Sequence, residues 1–180
     1  TVVNNGAAYV ENVPVGKGGY QLTAGNRIDC TGISLPQTIT VESWGMMTDN
    51  GPAQMLFSCD TAVGSGPDLF FNSGRIYWNT GDSGANPFVG VAYPSLNVFH
   101  HYVVVNDQVA NRTDLYIDGA WAGQAAYRSS AQVLRRVVVG NYDSDSNYAW
   151  RGVIGNTKVY TTALTADDIK ELYQRRASLD

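Results

Sequence analysis

The chain has 180 residues, 44% hydrophobic and 16% charged, with a net charge of −4. That length fits one domain over residues 1–180 with a core that needs no staples, and the low charge content suits strands better than long solvated helices. An acidic chain without a basic stripe disfavours nonspecific nucleic-acid binding, and no apolar run approaches the ~20 residues of a membrane-spanning helix. Because it begins at Thr1 rather than Met, the chain is expected to be a processed product or an excised domain.

Turn signals recur about every ten residues, the spacing of a sandwich or barrel. The stretch from Thr1 to Gly19 reads as an edge strand followed by a loop through Gly16-Lys17-Gly18-Gly19. Ile39 to Trp44 alternates as a strand should. Gln54–Cys59 and Asp68–Asn72 read as strands around a loop at 60–67, and the turn Asn72-Ser73-Gly74 returns the chain into Arg75–Asn79. His101–Asn106 is β-branched, and Asp114–Asp118 leads into Asp118-Gly119, the strongest hairpin signal present. Ala120–Ala125, Arg136–Gly140 and Gly152–Tyr160 complete the strands. One helix is expected near the C-terminus. Thr165 caps it, Asp168 closes a capping box, and Ile169, Leu172 and Tyr173 form its apolar stripe, closing the sandwich. The core is expected to include Trp44, Phe57, Phe70, Val104, Ile117, Val138 and Val159.

Several residue groups carry chemistry. The loop from Asn141 to Asn147 alternates oxygen donors at Asn141, Asp143, Asp145 and Asn147, which suits a calcium ion; the plain alternative is a loop whose Asx side chains cap turns. Tyr142, Tyr148 and Trp150 lie in or beside that loop, and Trp121 follows the hairpin turn. Such rings stack on sugar C–H faces, or else belong to the core. Trp44 and Trp78 read as core. Glu42 is a lone strand acid, flanked at the same-face positions by Thr40 and Trp44. A glycosidase needs paired carboxylates, so hydrolysis of glycans is not expected. His100 and His101 point to opposite faces and cannot chelate one ion together. A catalytic triad would require one of them beside Ser or Cys and an acid, and no Gly-x-Ser-x-Gly elbow is present. Both therefore read as structural. Cys30 and Cys59 read as reduced thiols, with a disulfide the alternative. Asn111-Arg112-Thr113 is a glycosylation sequon, relevant only in a eukaryotic secreted protein.

Three segments together form a recognisable pattern: Leu56-Phe57-Ser58 with Asp68-Leu69-Phe70-Phe71; Leu115-Tyr116-Ile117-Asp118-Gly119; and Val138-Val139-Gly140-Asn141, continuing through Gly152-Val153-Ile154-Gly155 to Val159-Tyr160, Ala163-Leu164-Thr165 and Ile169. The pattern resembles the laminin-G-like and pentraxin-like branch of the concanavalin-A-like lectin/glucanase superfamily, from about Gly19 to Tyr173. The resemblance implies an all-β fold: a two-sheet antiparallel jelly-roll sandwich with one short C-terminal helix. It implies a non-catalytic carbohydrate-binding module, with a glycan or cell-surface polysaccharide as partner and an extracellular, cell-surface or virion-surface location. It implies calcium as cofactor, held by the 141–147 loop with Asp68 brought near. Neither nucleic acid nor membrane insertion is expected, and homo-oligomerisation stays open. The alternative function is an assembly, decoration or protein-interaction module without a sugar site.

Overall fold

A computed structural model describes residues 1–11, 18–23, 25–51, 53–60, 65–80, 90–126, 134–142 and 148–177. In chain order the first strands are β1 (Val2–Asn5), β2 (Ala8–Glu11), β3 (Gly18–Leu22), β4 (Arg27–Leu35), β5 (Ile39–Met47), β6 (Gln54–Asp60) and β7 (Ser65–Asn72). They are followed by β8 (Arg75–Thr80), β9 (Val91–Ala92), β10 (Phe99–Asp107), β11 (Arg112–Ile117), β12 (Ala120–Ala126), β13 (Leu134–Val139), β14 (Gly152–Tyr160) and helix α1 (Ala166–Ala177). Two antiparallel seven-stranded sheets result, ordered β1-β4-β13-β6-β7-β8-β9 and β12-β11-β10-β5-β14-β3-β2. The expected sandwich with one C-terminal helix is therefore the fold.

The core lies between the inner faces. Phe57, Leu69, Phe71 and Trp78 from the first sheet meet Val41, Tyr102, Val104 and Leu115 from the second. β5 buries both of its faces. Val41 points inward, while Glu42 and Trp44 point outward beneath α1. The helix thus lies on the outer face of the second sheet, where Ile169 covers Val103, Val105 and Tyr116. Its start is the expected capping box: the Thr165 backbone N–H donates to Asp168 Oδ2 at 2.9 Å, and the Asp168 N–H donates to Thr165 Oγ1 at 3.2 Å.

Of the expected core residues, Trp44, Phe57, Val104 and Val138 are buried, and Ile117 and Val159 pack against the core part-buried. Phe70 is a correction. It points to the outer face, half-buried and stacked on Tyr77, and the core position belongs to Phe71. Two adjacent strand residues cannot share a face, and Phe71 takes the inner one.

Gly18 and Gly19 are also corrected, because they open β3 rather than forming a loop. A Cβ on Gly19 would lie 2.7 Å from the Ile154 carbonyl oxygen, so the close approach of β3 to β14 requires glycine. Cys30 and Cys59 both face β13, opposite the same residue, Val137. Two inter-strand steps separate their Cα atoms by about 9.6 Å, beyond the ~7 Å limit for a disulfide. Both are free thiols.

Candidate binding site at the loop end of the sandwich

The ladders bring one set of turns to the same end of the sandwich. Gly152 pairs with both Leu22 and Met47, so the segments after β3 and β5 meet the segment before β14. Between them lies an open cleft of about 310 Å³ lined by Gln21, Leu22, Thr23, Thr48, Asp49, Arg151 and Gly152. Its walls are fixed through the backbone. The Thr48 N–H donates to the Arg151 carbonyl at 3.0 Å, and Gln21 Nε2 donates to the Gly152 carbonyl at 2.9 Å. Gln54, fully buried, clamps both sides: its Oε1 accepts from the Arg151 N–H at 2.8 Å, and its Nε2 donates to the Asp49 carbonyl at 2.9 Å.

The two charged groups on this frame form a loose, half-exposed ion pair. Arg151 Nη1 and Asp49 Oδ2 stand 3.7 Å apart, with side chains 41% and 46% exposed. That distance is an ion pair without a direct hydrogen bond. A carboxylate acceptor, a guanidinium donor, two threonine hydroxyls and a glutamine amide line one cleft, with the Thr48 hydroxyl donating to the Arg151 carbonyl and the Gln21 amide nitrogen to the Gly152 carbonyl. This is a donor and acceptor set suited to hydroxyl-rich ligands.

The aromatic residues expected to bind ligand separate into three environments. Tyr142 and Tyr148 meet edge to face with centroids 6.0 Å apart, both half-buried, and Tyr148 lies three residues before Arg151. Trp150 is corrected: it is fully buried and packs edge-on against Phe71 at 5.0 Å, as part of the core. Its ring belongs to the core just before β14 begins. Trp121 stands elsewhere, 59% exposed on the edge strand β12. Its indole N–H donates to Asp114 Oδ1 at 3.0 Å, and Arg112 Nε holds Asp114 Oδ2 at 2.9 Å.

Asp143, Asp145 and Asn147 lie outside the described residues. Asn141 is fully buried; its Oδ1 already accepts the Tyr142 N–H at 2.8 Å, and its Nδ2, a donor, has no partner among the described residues. Asp68 is buried in the body of β7 opposite Ser58, in a row with Val138, so β6 and three residues of strand separate it from Asn141. That spans on the order of 14 Å of backbone, too far for one calcium shell with ligands at about 2.3–2.6 Å. Among the described residues no three acids, histidines or cysteines gather. Of the expected set, the described members Asn141 and Asp68 therefore stand apart.

The two histidines lead separate networks that the sequence did not reveal. His101 is fully buried on the outer face, stacked on Trp44 at 4.8 Å, with Nε2 3.3 Å from Glu42 Oε1. Glu42 also accepts from the Tyr160 hydroxyl at 2.6 Å and faces Lys158 Nζ at 3.4 Å. Burial alone would push this carboxyl up; the facing His101, Tyr160 and Lys158 outweigh it and hold it at about 2. His100, at the loop end, faces an acid and a serine. Nδ1 lies 2.7 Å from Asp118 Oδ2, and Nε2 lies 3.2 Å from Ser95 Oγ. Asp118 occupies the hairpin turn with φ 51°, and its Oδ1 accepts the His101 N–H at 2.9 Å. The Asp118-Gly119 turn was legible, but nothing in its spacing announced Ser95.

Residues 16–170 match a family model described as the concanavalin A-like lectin/glucanases superfamily. The chain belongs to that superfamily. Among curated proteins none matches the sequence. The fold is similar to the botulinum neurotoxin serotype D binding domain, with a TM-score of 0.75 and 15% identity over 98% of this chain and 47% of that one. It is similar also to the botulinum neurotoxin type G receptor-binding domain, with a TM-score of 0.73 and 14% identity over 97% of this chain and 46% of that one. Trypanosoma rangeli sialidase in complex with sialic acid gives a TM-score of 0.73 and 13% identity, over 99% of this chain and 30% of that one. The chain thus spans less than half the length of each of these structures.

Proposed function

We propose that this concanavalin A-like domain is a carbohydrate-binding module whose ligand enters the cleft between Asp49 and Arg151. The observation that carries the reading is the pair itself: two half-exposed, oppositely charged groups 3.7 Å apart on a backbone-fixed frame. A sugar diol supplies donors to the carboxylate and acceptors to the guanidinium at once. Thr23, Thr48 and Gln21 extend the polar lining. The receptor-binding domains that share its fold support a binding role. Under this reading the module works outside the cell or on a cell or virion surface, where polysaccharides are met.

Calcium dependence is the finer part of the proposal and rests on the oxygen-rich sequence 141–147 alone. A glycan array with and without chelator tests both parts. Retention of one or more glycans supports the module, and loss on chelation supports the ion. No retention in either condition, with the protein folded, overturns the reading.

A protein-interaction role is the second reading, favoured by one observation. Trp121 is exposed on the edge strand β12, which carries no charged residue from Ala120 to Ala126. Uncharged sheet edges invite pairing with another chain. Self-association at micromolar concentration that disappears in Trp121→Ala would favour it.

A further inference from the structure

The loop end holds a second arrangement that owes nothing to glycan binding. We propose that Ser95 is a nucleophile for acyl transfer, with His100 as its base and Asp118 as the residue that positions that base, and that carboxylic esters are its substrates. A triad of this kind is recognised by geometry and roles rather than by a sequence elbow. Ser95 Oγ, His100 Nε2, His100 Nδ1 and Asp118 Oδ2 form a continuous chain, with contacts of 3.2 and 2.7 Å.

The tautomer follows from the acid. Nδ1 stands 2.7 Å from a carboxylate oxygen and must carry a proton to make that contact favourable. The neutral ring then presents a lone pair at Nε2. Two oxygens of Ser95 lie near it, the hydroxyl at 3.2 Å and the backbone carbonyl at 3.2 Å. Only the hydroxyl has a proton to give. In the neutral state, Ser95 Oγ–H donating to Nε2 is therefore the bond that satisfies this nitrogen, which is the ground-state contact a general base requires.

The same geometry accommodates the charged ring. When Ser95 Oγ attacks an ester carbonyl carbon, a C–O bond forms and the hydroxyl proton moves to Nε2. The new Nε2–H then has the Ser95 carbonyl as acceptor while Asp118 faces Nδ1. Collapse of the tetrahedral adduct breaks the bond to the leaving oxygen, which takes that proton and departs as the alcohol. Water repeats the sequence on the acyl-serine, releasing the carboxylic acid and restoring Ser95. Atoms and protons balance with no further reactant.

The parts are held for this. His100 is 9% exposed, while Ser95 is open to solvent. Asp118 is fixed by the tight hairpin turn and by the His101 N–H. Burial works against its charge, and the bonds from His100 and His101 hold it below the usual carboxylate range. It thus stays available to orient the ring.

An activated ester needs the least help at the carbonyl oxygen, so p-nitrophenyl acetate is the probe. The full chain should release nitrophenolate and carry an acetyl group on Ser95, located by peptide mass spectrometry. Ser95→Ala, a change at an exposed position, should abolish that adduct. His100→Gln should slow acylation of Ser95 at least ~100-fold, and Asp118→Asn should slow it at the same serine by presenting the wrong tautomer. Circular dichroism of each variant checks the fold. The proposal is overturned if no acetyl group appears on Ser95, or if folded His100→Gln acylates it at the wild-type rate.

Discussion

Tyr160 donates its hydroxyl proton to Glu42 Oε2 across 2.6 Å, at the foot of helix α1 and on the outer face of the second sheet. Glu42 is 2% exposed, so the bond stands in a place where an unmet acceptor is costly. Tyr160→Phe removes the donor and leaves the carboxylate. The expected loss is about 1–3 kcal/mol, read as a lowered denaturant midpoint with an unchanged slope. No loss would mean that Lys158 and His101 satisfy the carboxylate alone.

The same carboxyl sets an acid limit on stability. Its ordinary value of 4.5 is depressed to about 2 in the fold. A depressed acid contributes stability that is full above the unfolded value and lost as pH falls through the folded one. Glu42 therefore stabilises the domain above pH 4.5 and ceases to do so as pH drops towards about 2. Asp118 and Asp168 are also held down and titrate in the same direction. The Glu42→Gln variant isolates the effect: its melting temperature should fall less steeply than that of wild type across this window. Parallel curves would remove Glu42 from the account.

The two neighbouring phenylalanines of β7 should differ sharply. Phe71 is fully buried among Tyr93, Tyr102 and Trp150, whereas Phe70 is half-buried on the outer face. Phe71→Ala should cost about 3–5 kcal/mol, and Phe70→Ala clearly less. Equal costs in chemical denaturation would argue against the assigned faces of the strand.

The cysteines give a simple control on the sheet register. Cys30 and Cys59 flank β13 and cannot bridge, so a reductant should leave the melting temperature unchanged, and both thiols should titrate in denaturant. Burial pushes the Cys30 thiol above its usual value, so it should react slowly in the native state. A stabilised oxidised form would contradict the order of β4, β13 and β6.

Much of the sandwich was legible because hairpin chemistry and strand alternation are local. Ser73-Gly74 and Asp118-Gly119 both adopt positive φ, as type I′ turns demand. β4 was not legible, because its inward residues change phase: Ile28 and Cys30 pack on the core, then Ile33 and Leu35, across Gly32 at φ 69°. The register against β13 shifts there, with residues 32–34 of β4 opposite residue 135 alone, and a simple period-2 count does not survive such an irregularity. Candidate-site residues fared according to how far their partners lay in sequence. The 141–147 loop is conspicuous by its own composition, whereas the cleft joins Arg151 to Gln21, Thr48 and Asp49 from segments a hundred or more residues away. Trp150 read as a ring for ligand because its neighbours are polar, while the contact that buries it, Phe71, comes from another strand.

The most direct test of the central proposal is a glycan array run with wild type, Asp49→Ala and Arg151→Ala, all three verified as folded. Each substitution removes one half-exposed group at the cleft and leaves the Gln54 clamp on its backbone. Wild type is predicted to retain a defined set of glycans, and both variants are predicted to lose at least tenfold in signal on that set, about 1.4 kcal/mol. Undiminished binding in both variants would place the ligand elsewhere, and a folded wild type that retains no glycan would contradict the assignment as a carbohydrate-binding module.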